Sequence, residues 1–335
     1  MRHGKKYNEA RVCPSVTGVP MNPATRPAAP RVPLWIFILL ALAIIFWGSA
    51  FPGIRVCLQA FAPGHLALLR MLIASAALVC GVVIMPVRLP AWRDLPGLLL
   101  MGFVGISVYH TALSFGEVSV PAGPASFLVA SSPIFSILAS MLFLGERPHL
   151  RAWLGVLVCV VGVSLIAASE SGGLHITRDA WTIVLAALAG GIYSVVQKRY
   201  LGRYTAYELV CYAMWGGTLF MLIFAPGALQ AVRQADRGAL CALVYLGVFP
   251  AAFAYGVWAY VLQHMSVSRA VMFQYLIPGI AVLVAFVWLA EVPKLLSVAG
   301  GVLTVVGVYA VNAKAQRAVT VVTGAAAGQP RVPRR

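Results

Sequence analysis

The chain has 335 residues, 61% of them hydrophobic and only 10% charged, with a formal net charge of +16 and a mean hydropathy of +0.89. A soluble domain carries about 25% charged residues. It could not solvate apolar runs of about 18–22 residues, each long enough to span a bilayer, and such runs recur here from Leu34 to Asn312. The positive residues sit in tails and short loops without interleaved aromatics, so the positive-inside effect accounts for them and no nucleic-acid partner is expected.

Residues 1–33 carry Arg2, Lys5, Lys6, Arg11, Arg26 and Arg31 among repeated prolines, which reads as a disordered basic cytoplasmic tail. The segment is long for the n-region of a signal peptide, and no small-residue cleavage site comes after the first apolar run. Ten spans are then expected, at 34–53, 65–85, 96–115, 122–144, 151–168, 180–197, 207–225, 239–260, 268–290 and 295–312. Residues 313–335 form a second disordered basic tail. With the N-terminus inside, nineteen lysines and arginines fall on the inner side and five on the outer, which places both termini in the cytoplasm. The basic tails are suited to anionic lipid heads, so membrane lipids are expected partners.

Missing motifs narrow the chemistry. The six cysteines show no C-x-x-C spacing and read as small apolar filler, with no disulfide framework and no metal site. No G-x-x-x-x-G-K-[ST], H-E-x-x-H or G-x-S-x-G motif occurs. The chain is therefore expected to be no enzyme and to need no cofactor.

Shifting the sequence by 145 places Pro133 on Pro278, Glu146 on Glu291, Gly102 on Gly247, Gly155 on Gly300 and Gly162 on Gly307. No gap is needed from 102 to 163. The chain thus divides into two halves, 34–168 and 180–312, of five spans each. An odd number of spans sends the second half into the membrane from the opposite face. The expected fold is all-α and integral to the membrane, with ten transmembrane helices as two inverted five-helix repeats, a recurrent carrier architecture. Pro133 and Pro278 are then paired helix breaks near the midplane, where interrupted helices point to a solute site. A kink without any ligand role is the plain alternative.

The runs W-G-S-A-F-P-G-I-R (47–55), L-L-R-M-L-I-A-S-A-A-L (68–78), S-S-P-I-F-S-I-L-A-S-M-L-F-L-G-E-R (131–147) and L-G-V-L-V-C-V-V-G-V-S-L-I (154–166) resemble the signatures of the EamA family in the drug/metabolite transporter superfamily. The resemblance covers both halves. Ala290-Glu291-Val292-Pro293 departs from the Gly-Glu expected in the second half, and the tails lie outside it. It implies ten helices, alternating access and export or exchange of small metabolites. On this reading the protein is a multi-pass secondary transporter of a bacterial cytoplasmic (inner) membrane, exporting amino-acid-like or amphipathic compounds. Drug efflux and uptake stand as variants, and a membrane-embedded receptor or lipid-handling protein as the alternative class.

Arg70 is the only lysine or arginine well inside a span. A charge at the helix centre costs about 2.5–3.5 kcal/mol on insertion scales, so something must offset it. It suits a carboxylate or phosphate anchor; pairing with helix-end carbonyls or snorkelling is the structural alternative. Trp47, Ser49, Tyr109, His110 and Ser132 in the first half, with Tyr193, Trp258, Gln274 and Tyr275 in the second, complete the candidate substrate-binding set. Polar groups in a span are expected to face an interior cavity, and aromatics there stack on planar or apolar solutes. Ser131, Gln197, Trp215 and Tyr255 share that mid-span character. His110, near neutral pH when unperturbed, and Glu117 at the end of the third span bear on energy coupling. The stripes Gly155/Gly162 and Gly300/Gly307 suit close helix approach, either within the chain or across a homodimer.

Overall fold

The computed structural model describes residues 32–148, 150–171, 178–289, 295–296 and 298–309, and every regular element among them is helical. In chain order these are α1 (Leu34–Leu58), α2 (Pro63–Val82), α3 (Leu95–Gly102), α4 (Tyr109–Gly116), α5 (Ala122–Val129), α6 (Ser132–Leu144) and α7 (Leu150–Ser171). The second half holds α8 (Arg178–Tyr200), α9 (Ala206–Met221), the short α10 (Ala228–Gln234), α11 (Arg237–Leu246), α12 (Ala254–His264), α13 (Val267–Ala270), α14 (Ile277–Leu289) and α15 (Val298–Tyr309).

Several of these are parts of one membrane-length helix. Residues Leu95–Gly116 join α3 to α4 through a π-helical turn, Phe103–Val108, and Arg237–His264 join α11 to α12 through a second, Gly247–Phe253. A shift of 145 carries the first π turn onto residues 248–253 of the second, so the two lie at equivalent places in the repeat. Pro250 cannot donate to the ladder, so the second turn opens around it. Eight helices are long and apolar enough to cross a membrane among the described residues, where ten spans were expected. The last helix of each half is represented by a shorter apolar stretch, Ala152–Leu165 and Val298–Tyr309. Glu291 and residues 310–312 of the expected repeat lie outside the described residues.

Two expectations are refined. The first helix does not stop near Pro52-Gly53 but runs to Leu58 with Pro52 inside it, because a helix buried among other helices re-satisfies the freed backbone groups. The proline at 133 sits in the first turn of α6, after a break at Ala130–Ser131. Pro278 likewise sits in the first turn of α14, after a 3₁₀ stretch, Val271–Leu276. Proline fits a first helical turn because no N–H is needed there. Both prolines therefore restart a helix rather than kink one.

The glycines set how closely helices meet. Gly162 faces Gly300 and Thr304; a Cβ there would come within 2.4 Å of Thr304 Oγ1 and 2.7 Å of the Gly300 carbonyl. The contact is reciprocal, since Gly307 faces the Gly155 carbonyl and Cys159, with Cys159 Sγ 3.6 Å from the Thr304 carbonyl. The small-residue stripes of α7 and α15 are thus spent on each other within the chain. Their outer faces, including Leu157, Val161, Val302 and Val305, are exposed apolar surface, as are Leu142, Ile223 and Val287 elsewhere, which is what a lipid-facing surface requires.

Side chains and helix ends tie the helices together at both faces, some across the halves and some within a half. At one, the Glu146 carboxylate accepts from the Val267 and Ser268 amides at 2.9 and 3.0 Å, capping α13. Lys198 Nζ there donates to the carbonyls of Leu262 and Met265, and Arg203 pairs with Asp94 at 2.6 Å. At the other, Arg55 Nη1 donates to the Glu117 carbonyl at 2.8 Å. A Gly162→Val substitution is expected to lower stability by about 1–3 kcal/mol through overpacking, read as a lower unfolding temperature in detergent. Gly202→Ala, where an added Cβ meets open space, is expected to leave that temperature unchanged.

Candidate functional site

A chamber of about 70 Å³ lies where α1, α2, α4, α5 and α6 of the first half meet α8, α12, the π turn at Pro250 and the helix restart at Gln274–Ile277. It is well below the roughly 300–1,000 Å³ of pockets that hold drug-sized ligands. The helix interruptions shape it. The π turn before α4 precedes Tyr109 and His110, and the one before α12 precedes Tyr255 and Trp258. An extra residue in the turn rotates the next helical segment about its own axis. Gly190, at the wall, leaves space that Tyr109 and Ser132 occupy; a Cβ there would stand 3.2 Å from the Tyr109 ring.

One wall is aromatic. Trp47 meets Trp258 and Tyr255 edge-on, with ring centroids 5.4 and 5.8 Å apart, and Tyr255 also meets Tyr193 and His110, each at 5.7 Å. Their polar ends are anchored. The indole N–H of Trp47 donates to the Pro250 carbonyl at 3.1 Å, and that of Trp258 to Ser194 Oγ at 3.3 Å. Tyr255 Oη and His110 Nε2 are 3.1 Å apart, and Gln197 Nε2 donates to Tyr193 Oη at 2.8 Å. The result is an aromatic shell whose hydrogen-bonding groups are engaged while its rings line the chamber.

Charged and polar groups reach the chamber from α2 and α4. Arg70 is 1% exposed, lines the chamber and has no hydrogen-bond partner at Nε or Nη1. On α4, His110, Ser114 and Glu117 are spaced i, i+4, i+7, one helix face, and all three are buried. His110 Nδ1, Ser114 Oγ and both Glu117 carboxylate oxygens also lack partners. Glu117 lies one residue beyond the span. Burial pushes its carboxyl well above the usual carboxylate range, with Arg70 and then Arg55 pulling it down.

Eight of the ten expected site residues line the chamber: Trp47, Arg70, Tyr109, His110, Ser132, Tyr193, Trp258 and Gln274. Ser49 and Tyr275 do not. Ser49 is two residues from Trp47, about 200° around the helix, and bonds Phe46 O at 3.0 Å and Tyr245 Oη at 2.5 Å instead. Tyr275 is turned from its neighbour Gln274 toward α15, where it lines an apolar groove with Gly301 and Thr304. The wall also includes Tyr255, Ser126 and Ser194, which are outside the expected set. Tyr255 carries a usable signal, since it lies 145 residues from His110, at the equivalent position of the repeat.

These features define a multi-pass helical membrane protein with a largely aromatic chamber, bearing a buried arginine, walled by two repeated halves. The chain belongs to the EamA-like transporter family, whose model matches residues 34–168 and 178–313. It is 41% identical over 273 residues to a probable terminal-alkyne amino-acid exporter of Streptantibioticus cattleyicolor, covering 82% of this chain and 92% of the relative. It is equally identical over 273 residues to an uncharacterized transporter of Bacillus subtilis, covering 82% of this chain and 89% of that one. A probable amino-acid metabolite efflux pump of Salmonella typhimurium shares 25% identity, over 81% of this chain and 92% of the relative. One solved crystal structure superposes with a TM-score of 0.68 at 19% identity, covering 85% of this chain and 98% of that one, a likeness of fold.

Tyr255→Phe would leave His110 Nε2 buried without its partner. Such a loss costs about 1–3 kcal/mol, so unfolding in detergent is expected at lower temperature than for the parent and for the Gly202→Ala control, whose added Cβ meets open space.

Proposed function

We propose that this transporter is a secondary carrier that exports amino-acid-like compounds unchanged across a bacterial cytoplasmic membrane by alternating access. The observation that carries the reading is the buried Arg70 guanidinium, unpartnered at Nε and Nη1, on the wall of an aromatic chamber. A guanidinium offers a fork of donors matched to a carboxylate, and the aromatic wall suits an apolar or unsaturated side chain. The names of the Streptantibioticus and Salmonella relatives support the same solute class and the outward direction.

The architecture that fits is ten helices in two inverted repeats, 34–168 and 180–312, flanked by basic cytoplasmic tails at 1–33 and 313–335. The reciprocal contacts of α7 and α15 support a two-fold relation between the halves. The lysine and arginine asymmetry supports both termini inside. A homodimer, if one forms, has the outward faces of α7 and α15 available, since their glycine stripes are occupied.

The test is export from cells loaded with propargylglycine, an amino acid ending in a terminal alkyne. Cells making the parent protein are expected to accumulate it in the medium faster than vector controls. Arg70→Ala, at equal abundance in the membrane, is expected to reduce the excess rate at least about tenfold, the loss of a charge-assisted pairing worth 1.5–3 kcal/mol. Equal rates for the parent and the vector control would overturn the reading for this solute class.

A further inference from the structure

The polar file on α4 does not end at the chamber. His110 lines it, but Ser114 and Glu117 lie behind it, toward the membrane face at which Arg55 caps the end of α4. Arg70, on the neighbouring α2, is coupled electrostatically to Glu117 and also faces the chamber. Arg70 and Glu117 are not within ion-pairing distance of each other, and both carboxylate oxygens are unpartnered and buried. A buried carboxylate with no partner sheds its charge by taking a proton. No structural role among the described residues explains an acidic group held that way, next to a cation that is itself only partly satisfied.

We propose that Glu117 is a proton-binding site whose occupancy is linked, through Arg70, to the presence of a carboxylate in the chamber. The inference deepens the proposed function and rests on its carboxylate-bearing solute. With the chamber empty, the positive field of Arg70 weakens the hold of Glu117 on its proton, against the effect of burial. A solute carboxylate at Arg70 neutralises that field, and Glu117 takes a proton from solvent at Oε. When the solute leaves, the proton leaves. Solute and proton therefore cross together, and no oxidation or bond cleavage is involved. An inward proton force then opposes export, so net outward flow is driven by solute excess inside.

The groups around Glu117 are few. Arg70 comes from α2 and Arg55 from α1, the latter through the Glu117 backbone carbonyl. Tyr109 and His110 lie on its own helix. From α8, Asp179 accepts from Ser119 at 2.5 Å and Thr182 approaches Gly116. The α5 segment, Ala122–Val129, has no titratable side chain.

Two measurements on the full-length purified chain separate this inference from the reading beneath it. The first needs no solute: pH titration of the protonated-carboxyl infrared band that is missing in Glu117→Gln. Arg70→Met is expected to move its midpoint up by about 1–3 pH units, the effect of losing a nearby opposite charge. A band that does not titrate, or an unmoved midpoint, overturns the proposal. Glu117→Ala, which also removes the carboxyl, serves in place of Glu117→Gln if the latter does not fold. The second is proton uptake from weakly buffered solution on adding propargylglycine, with binding followed calorimetrically. Uptake in the parent and none in Glu117→Gln supports the linkage. Binding without uptake overturns it while leaving the amino-acid reading intact. No binding at all counts against the amino-acid reading, and the infrared titration alone then decides the Arg70–Glu117 linkage.

Discussion

A guanidinium that cannot lose its charge, held inside a helical bundle that must sit in hydrocarbon, is the constraint around which this structure is arranged. Arg70 is 1% exposed, and Nε and Nη1 have no partner. Its cost is tolerable only if a cavity, a counter-charge or a solute offsets it. The chamber supplies the first, Glu117 part of the second, and the proposed solute the third. The aromatic shell keeps its N–H and O–H groups engaged with Pro250, Ser194 and His110, so the chamber's unsatisfied donors belong to Arg70 and its neighbours.

The chamber lies where the repeat folds back on itself. Equivalent residues of two halves related by a two-fold touch only near the axis. Here His110 meets Tyr255 and Cys159 meets Thr304, each pair 145 residues apart. The π turns, also equivalent, bring the chamber's tyrosine, histidine and tryptophan to that line from both sides. A site on such an axis belongs to neither half, so rocking one half against the other changes which face it communicates with without dismantling it. Helix restarts at Pro133 and Pro278, and latches such as Glu146 on the amides of α13, are the places where such motion would be absorbed.

Much of this is legible in the sequence because membrane helices leave few ways to be polar. Arg70, His110, Trp47 and Gln274 stand out in apolar runs, and the bundle brings them together for the reason anticipated, that polar groups turn inward. The repeat is visible through prolines and glycines, whose backbone constraints are not interchangeable. Rotational register does not show. Ser49 and Trp47 share a segment but not a face, and Tyr275 and Gln274 diverge across a 3₁₀ turn whose presence no local residue announces. The π turns are likewise unreadable, though Pro250 marks one. The course of α1 past Pro52 escapes a sequence reading because a proline reads as a stop until neighbouring helices are known.

The central claim is that one chamber is reached alternately from the two faces of the membrane. Its most direct measurement places a single cysteine at Ser132, on the chamber wall, in a background lacking the native cysteines, and applies a membrane-impermeant thiol reagent to vesicles of each orientation. Labelling is expected from both sides, each slowed when propargylglycine is present. Labelling from one side only, in protein that still folds, would contradict alternating access and leave the chamber a fixed pocket.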